Sequence, residues 1–213
     1  MSNKYFAESE LIINSDGSIF HLHLKPEQLA DKVILVGDPG RVKMIASHFE
    51  DIEDEVQSRE FHSVTGTYQG KRITAQSTGI GCDNIDIVLN ELDALANIDF
   101  STRKEKEAFR QLTLVRIGTC GGLQPYTPVG TFIASEKSIG FDGLLNFYAG
   151  RNDVCDLDFE KKFKEHMPMR SLPIAPWRSW DIRKGNTNIV IPTTMSIAGS
   201  QPMMSTPPRS VWP

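Results

Sequence analysis

A chain of 213 residues, 39% hydrophobic and 23% charged, has enough apolar material for one substantial globular core. A net charge of −4 argues against a broad cationic face for nucleic acid or an anionic membrane, so an anion site would need a local concentration of positive groups. No stretch approaches the roughly 18 apolar residues of a membrane span. Cys82, Cys120 and Cys155 are odd in number and lack Cys-x-x-Cys spacing, which reads as free thiols in a reducing cytoplasm and not as a disulfide frame or zinc site. The opening MSNKYFAESE lacks the basic-then-apolar pattern of a signal peptide.

In chain order, a short apolar-polar alternation spans Phe20 to Leu24. The first clear strand is Lys32-Val33-Ile34-Leu35-Val36, a β-branched run of the kind buried inside a sheet. It ends in the turn cluster Gly37-Asp38-Pro39-Gly40. A helix is expected from about Arg41, with Val42, Ile45, Ala46 and Phe49 on one face. Strands are expected at about 55–61 and 71–77, with Gly66 and Gly70 as turn residues. Ser77-Thr78-Gly79-Ile80-Gly81 then leads into a second helix, with Asp83 as N-cap and Ile85, Val88, Leu89, Leu92 and Leu95 at helical spacing. After a polar segment, a strand over Leu112–Ile117 ends in Gly118-Thr119-Cys120-Gly121-Gly122. A further strand at about 130–135 and a helix at about 157–166 complete the regular part. This alternation predicts an α/β fold whose ligands sit where the strands end.

The composition changes near residue 167, dividing the chain into an α/β domain over 1–167 and an atypical tail over 168–213. The tail holds 8 of the 12 prolines and all three tryptophans, but Asp181 is its only acidic residue. Apolar periodicity is lost there as well, as in a segment read out of frame.

Three glycine-rich loops could carry chemistry. Gly37-Asp38-Pro39-Gly40-Arg41 combines close backbone approach with a helix N-terminus, where Arg41 is electrostatically misplaced unless an anion is present; an ordinary turn is the alternative. Gly79-Ile80-Gly81 fits tight strand-to-helix packing equally well. Arg116, inside an apolar strand, needs either a ligand or an ion-pair partner. Arg59 reads equally as a surface ion pair, and His21 as a structural histidine.

Order and wording together then supply a resemblance. Phe20-His21-Leu22, Gly37-Asp38-Pro39-Gly40-Arg41, Arg59-Glu60-Phe61, Ser77-Thr78-Gly79-Ile80-Gly81, and Arg116-Ile117-Gly118-Thr119 with Gln124-Pro125 resemble the nucleoside phosphorylases of the uridine phosphorylase type. The likeness covers about residues 19–166. It implies a mixed sheet flanked by helices, and phosphorolysis of a nucleoside, uridine first, to free base and ribose 1-phosphate. A purine nucleoside phosphorylase or a non-catalytic phosphate-binding remnant are the alternatives. Phosphate would be a co-substrate, with no cofactor or metal needed. Gly37, Arg41, Arg59, Arg116 and Thr119 would bind phosphate, Arg116 and Thr119 acting in catalysis. Arg59, and His21 toward the ribose 5′-hydroxyl, would act across a subunit interface in a dimer-based homo-oligomer, expected to be hexameric. The family's Glu-Met-Glu ribose motif and its base-gripping residues have no counterpart after residue 167.

Overall fold

A computed structural model of the chain describes residues 5–140, 142–166 and 194–198. These fall into two compact units, one within Met1–Lys137 and Ile189–Pro213, the other within Ser138–Asn188. The expected tail lies outside the described residues apart from residues 194–198.

The first unit is built on a mixed seven-stranded sheet. Its strands are β1 (Lys32–Val36), β2 (Asp51–Ser58), β3 (Phe61–Tyr68), β4 (Lys71–Ser77), β7 (Thr113–Cys120), β8 (Phe132–Ser135) and β9 (Thr194–Ala198), with β5 (Ile98–Asp99) and β6 (Lys104–Glu105) forming a separate small pair. The order is β2-β3-β4-β1-β7-β9-β8. β1 pairs in parallel with β4 on one side and β7 on the other, while β2, β3 and β4 form an antiparallel meander. β9 runs parallel to β7 and antiparallel to β8.

The period of two along β1 gives each sheet face its own core. Val33 and Leu35 join Leu114, Phe61 and the helix α2 (Cys82–Asn97), which buries Val88, Leu92 and Leu95. On the opposite face Val36 joins Val64, Ala75 and the helix α1 (Pro39–Ala46) through Val42 and Ala46. Each fully buried leucine or valine contributes roughly 1.5–3 kcal/mol by leaving water. At the C-terminus of α2, the Lys106 ammonium donates to the carbonyls of Leu95 (3.2 Å) and Ala96 (3.0 Å), two acceptors that the helix itself leaves open. Burial, with Arg110 as a second cause, holds that ammonium below the usual lysine range. Among the described residues the second unit holds two α-helices, α3 (Arg151–Val154) and α4 (Leu157–His166). Among the described residues no helix is long and apolar enough to cross a membrane.

Local chemistry moved several boundaries. α1 begins at Pro39, because Asp38 accepts from the Gly40 N–H as N-cap and proline suits the first helical turn. α2 begins at Cys82 after Gly81, which leaves Asp83 inside the first turn and not at the cap. The strand expected at 55–61 is two strands joined by a tight turn at Arg59-Glu60.

Gly66 lies within β3 and not in a turn. A Cβ there would lie 2.2 Å from the Asp51 carbonyl oxygen and 2.8 Å from the Phe49 ring. Gly66→Ala is therefore expected to destabilise the fold by about 1–3 kcal/mol or more, as overpacking against backbone does. A urea midpoint equal to that of the parent chain would contradict the close β2–β3 approach.

Candidate functional site

Because β1, β4 and β7 run in parallel, their C-terminal ends emerge along one edge of the sheet. Gly37 follows β1, Thr78 and Gly79 follow β4, and Gly118 and Thr119 lie near the end of β7. The Thr78 N–H donates to the Val36 carbonyl at 2.7 Å and extends the β1–β4 ladder to the loop itself. Gly79 has φ +68°, and a Cβ would meet Asn84 at 2.7 Å and the Glu60 side chain at 2.9 Å. Glycine is needed here for both conformation and space.

Arg116 stands opposite Leu35 and faces the α2 side of the sheet. Its side chain runs over Gly118, two residues on and on the same face: a Cβ on Gly118 would be 3.1 Å from the nearer terminal nitrogen. The other terminal nitrogen would be 3.8 Å from a Cβ on Gly37, and that same point is 3.6 Å from the Gly79 carbonyl. Gly37, Gly79, Arg116 and Gly118 thus converge, and the missing side chains of the glycines leave room around the guanidinium. The Arg116 Nε is buried with no hydrogen-bond partner among the described residues. Such an atom costs about 1–3 kcal/mol, more when charged, and calls for an explanation.

Other arginines are satisfied from within the chain. Arg72 bonds Glu53, Arg103 bonds the Leu11 carbonyl, Arg110 bonds Asp31 and the Leu29 carbonyl, and Arg151 bonds Glu160. Arg41, Arg59 and Arg116 make no side-chain hydrogen bond or ion pair among the described residues. Neither a surface ion pair for Arg59 nor a structural salt bridge for Arg116, both open on sequence grounds, is formed among the described residues. Arg41 is half-buried in the first turn of α1, and Thr119 is exposed on β7.

A second patch gathers Arg59 and His21. Arg59 is the first residue of the β2–β3 turn and has φ +55°, a left-handed conformation unusual for a residue other than glycine. The turn is pinned from β4: the Ser77 hydroxyl donates to the Glu60 carbonyl and accepts from the His62 N–H, each at 2.7 Å. The Arg59 guanidinium sits 5.9 Å above the Phe20 ring. The His21 ring meets both Phe20 and Phe61 edge-on, with centroids at 4.7 Å and 6.4 Å. Its Nδ1 lies 2.6 Å from Glu91 on α2. No hydrogen bond or ion pair among the described residues joins this patch to Arg41, Arg116 or Thr119.

Two residues at the site were not singled out from sequence. His62 is fully buried beneath the first loop, between the Pro39 carbonyl (3.3 Å from Nδ1) and Glu55 (2.9 Å from Nε2). It directly follows the Arg59-Glu60-Phe61 run, which was its one visible signal. Glu91 sits on the apolar-patterned α2 and gave no signal, because its partner comes from a distant part of the chain.

Comparison with known proteins agrees with this architecture. The family model of the phosphorylase superfamily matches residues 31–208. A DeoD-type purine nucleoside phosphorylase of Roseobacter denitrificans is 36% identical over 119 residues, 55% of this chain and 45% of the relative. A DeoD-type purine nucleoside phosphorylase of Bacillus velezensis is 31% identical over 160 residues, 73% of this chain and 63% of the relative. The crystal structure of a Trypanosoma brucei nucleoside phosphorylase, described as showing uridine phosphorylase activity, superposes with a TM-score of 0.66 at 33% identity. That alignment covers 73% of this chain and 53% of the other. The chain spans about half the length of the curated relatives it matches.

The unpartnered state of Arg116 has a consequence for stability. Arg116→Ala should leave the unfolding free energy within about 1 kcal/mol of the parent, since the lost stem packing is offset by removal of an unsatisfied buried nitrogen. Arg110→Ala, which loses bonds to Asp31 and the Leu29 carbonyl, should cost about 1–2 kcal/mol. Chemical denaturation of both variants checks the ordering, and a larger loss for Arg116→Ala would show that its guanidinium has a structural partner.

Proposed function

The chain belongs to the phosphorylase superfamily, and from that premise we propose that its glycine-lined Arg116 cluster holds inorganic phosphate for attack on the C1′ atom of a nucleoside. The observation that supports this reading most is the Arg116 guanidinium, whose buried Nε has no partner among the described residues and whose terminal nitrogens lie beside Gly37 and Gly118. An oxyanion there would accept the unused guanidinium donors, and the planar fork suits two oxygens at once. Arg41 and Thr119 complete the phosphate group in this reading, and Gly37 allows close backbone approach. Cleavage of the glycosidic bond builds positive charge on the sugar, so a fixed phosphate anion serves as both nucleophile and electrostatic partner.

Arg59 and His21 belong to this reading as groups offered to a neighbouring subunit. Their separate patch supports that assignment, and the strained Arg59 backbone fits a residue held for function at some conformational cost. The working unit would be a dimer-based homo-oligomer.

Uridine is the substrate proposed first, from the wording of Arg59-Glu60-Phe61 and Ser77-Thr78-Gly79-Ile80-Gly81. A purine nucleoside is the second reading, supported by the names of the curated relatives. The base-gripping residues that distinguish the two have no counterpart in residues 168–213, nor does the ribose-binding Glu-Met-Glu.

Two outcomes are expected. Arg116→Ala should weaken phosphate binding by about 1.5–3 kcal/mol, measured by calorimetric titration, while Arg72→Ala leaves it unchanged. Equal affinity in a folded Arg116→Ala chain would remove Arg116 from the phosphate site. Second, the chain of this sequence should release little or no uracil from uridine and phosphate, or hypoxanthine from inosine, by chromatography. Positioning of the sugar supplies roughly 7–11 kcal/mol of barrier reduction, and a phosphate held without its ribose partners lacks it. Turnover at an enzymatic rate would show that residues 168–213 do provide those partners.

A further inference from the structure

The carboxylate of Glu91 is engaged by one short segment of chain on several sides. Its Oε2 accepts the Leu22 N–H at 2.9 Å and the His21 N–H at 3.1 Å. Its Oε1 lies 3.1 Å from the same His21 N–H and 2.6 Å from the His21 Nδ1. The Glu91 side chain is 12% exposed and that of His21 26%. Phe20 and Phe61 flank the ring and restrict its rotation.

A carboxylate oxygen only accepts, so the hydrogen between it and the ring belongs to Nδ1. In the neutral ring Nε2 then carries a lone pair and no hydrogen. We propose that Glu91 is a positioning residue that fixes His21 in its Nδ1–H form and thereby presents Nε2 as an acceptor for a hydroxyl of the sugar. A hydroxyl donor is the chemical class that such a nitrogen selects; an ether or a methyl group at that place offers it no hydrogen. Glu91 touches no substrate and acts only through the ring. The sugar half of this inference rests on the reading of His21 given above, while the Glu91 half does not.

The isosteric variant Glu91→Gln gives a sharp expectation. The two backbone N–H groups keep the amide oxygen at the Oε2 place, which puts the amide NH2 against Nδ1. Nδ1 must then accept, and the ring hydrogen moves to Nε2. Nitrogen–proton correlation spectra of the histidine rings read this directly in the full chain, at a pH where the ring is neutral. The parent chain should show His21 with its hydrogen on Nδ1, and Glu91→Gln should invert the pattern. In phosphate buffer, uridine should move the Nε2 resonance of the parent chain, and 5′-deoxyuridine should not. A hydrogen on Nε2 in the parent chain overturns the proposal without need of a variant, as does a folded Glu91→Gln chain whose ring spectrum is unchanged. If the ring behaves as expected but uridine and 5′-deoxyuridine shift it alike, or neither shifts it, the hydroxyl assignment is overturned. The Glu91–His21 pair and the phosphate reading would both survive that last result, because phosphate titration of Arg116→Ala tests the latter separately.

Discussion

Parallel pairing of β1 with both β4 and β7 is the constraint on which the candidate site depends. It brings three strand ends, each running into glycine, to one edge of the sheet. With α1 and α2 on opposite faces, loops from distant parts of the sequence meet there without any loop needing to be long. The register opposite Leu35 then decides what Arg116 can do. It faces the α2 side, lies over Gly118 and reaches toward Gly37, while the described residues supply no acceptor for its buried nitrogen. Had the sheet placed a carboxylate at this edge, Arg116 would have joined Arg72, Arg110 and Arg151 as an ordinary ion-paired residue.

The second patch obeys a different logic. Arg59, Phe20, His21 and Phe61 are held by a tight turn and edge-on aromatic contacts, and Ser77 ties that turn to the end of β4. In the reading proposed above, phosphate falls to one patch and the sugar to the other, an economy that works where subunits face each other. In the proposed reading the left-handed backbone at Arg59 and the donors gathered on Glu91 would serve one purpose, to fix the direction of a group offered to a neighbouring subunit.

Much of this was legible from residue order alone. β1, β4 and α4 have the extents that periodicity assigns them, because their signals are local: a β-branched run, a turn on each side, a helical stripe. The mixed sheet flanked by helices followed from the alternation and the resemblance, and the match to the phosphorylase superfamily bears it out. The turn at Arg59-Glu60 was missed because neither residue is a turn former; tertiary bonding from Ser77 to Glu60 holds it in place. Gly66 misled in the opposite sense, since a glycine needed for close strand approach looks the same in sequence as one needed for a turn. The roles of His62 and Glu91 were not legible because they exist only once β3, α1, α2 and the His21 segment are brought together. What sequence could not reveal about Arg41, Arg59 and Arg116 was a negative fact, that their guanidinium groups have no hydrogen-bond acceptor among the described residues.

The placement of β9 between β7 and β8 bears on how the chain acquires this structure. β8 precedes β9 by the whole of the second unit, yet it joins the sheet only through β9. On a ribosome, the meander and the parallel pairings of β1 can therefore form early, while the outer edge of β7 stays open until residues 194–198 have emerged. Closing that gap is a contact of long sequence separation, the kind that slows folding and leaves a strand edge available to other chains in the meantime. Synthesis in a cell would make this edge, and not the glycine loops, the point where nascent molecules are most exposed to mispairing.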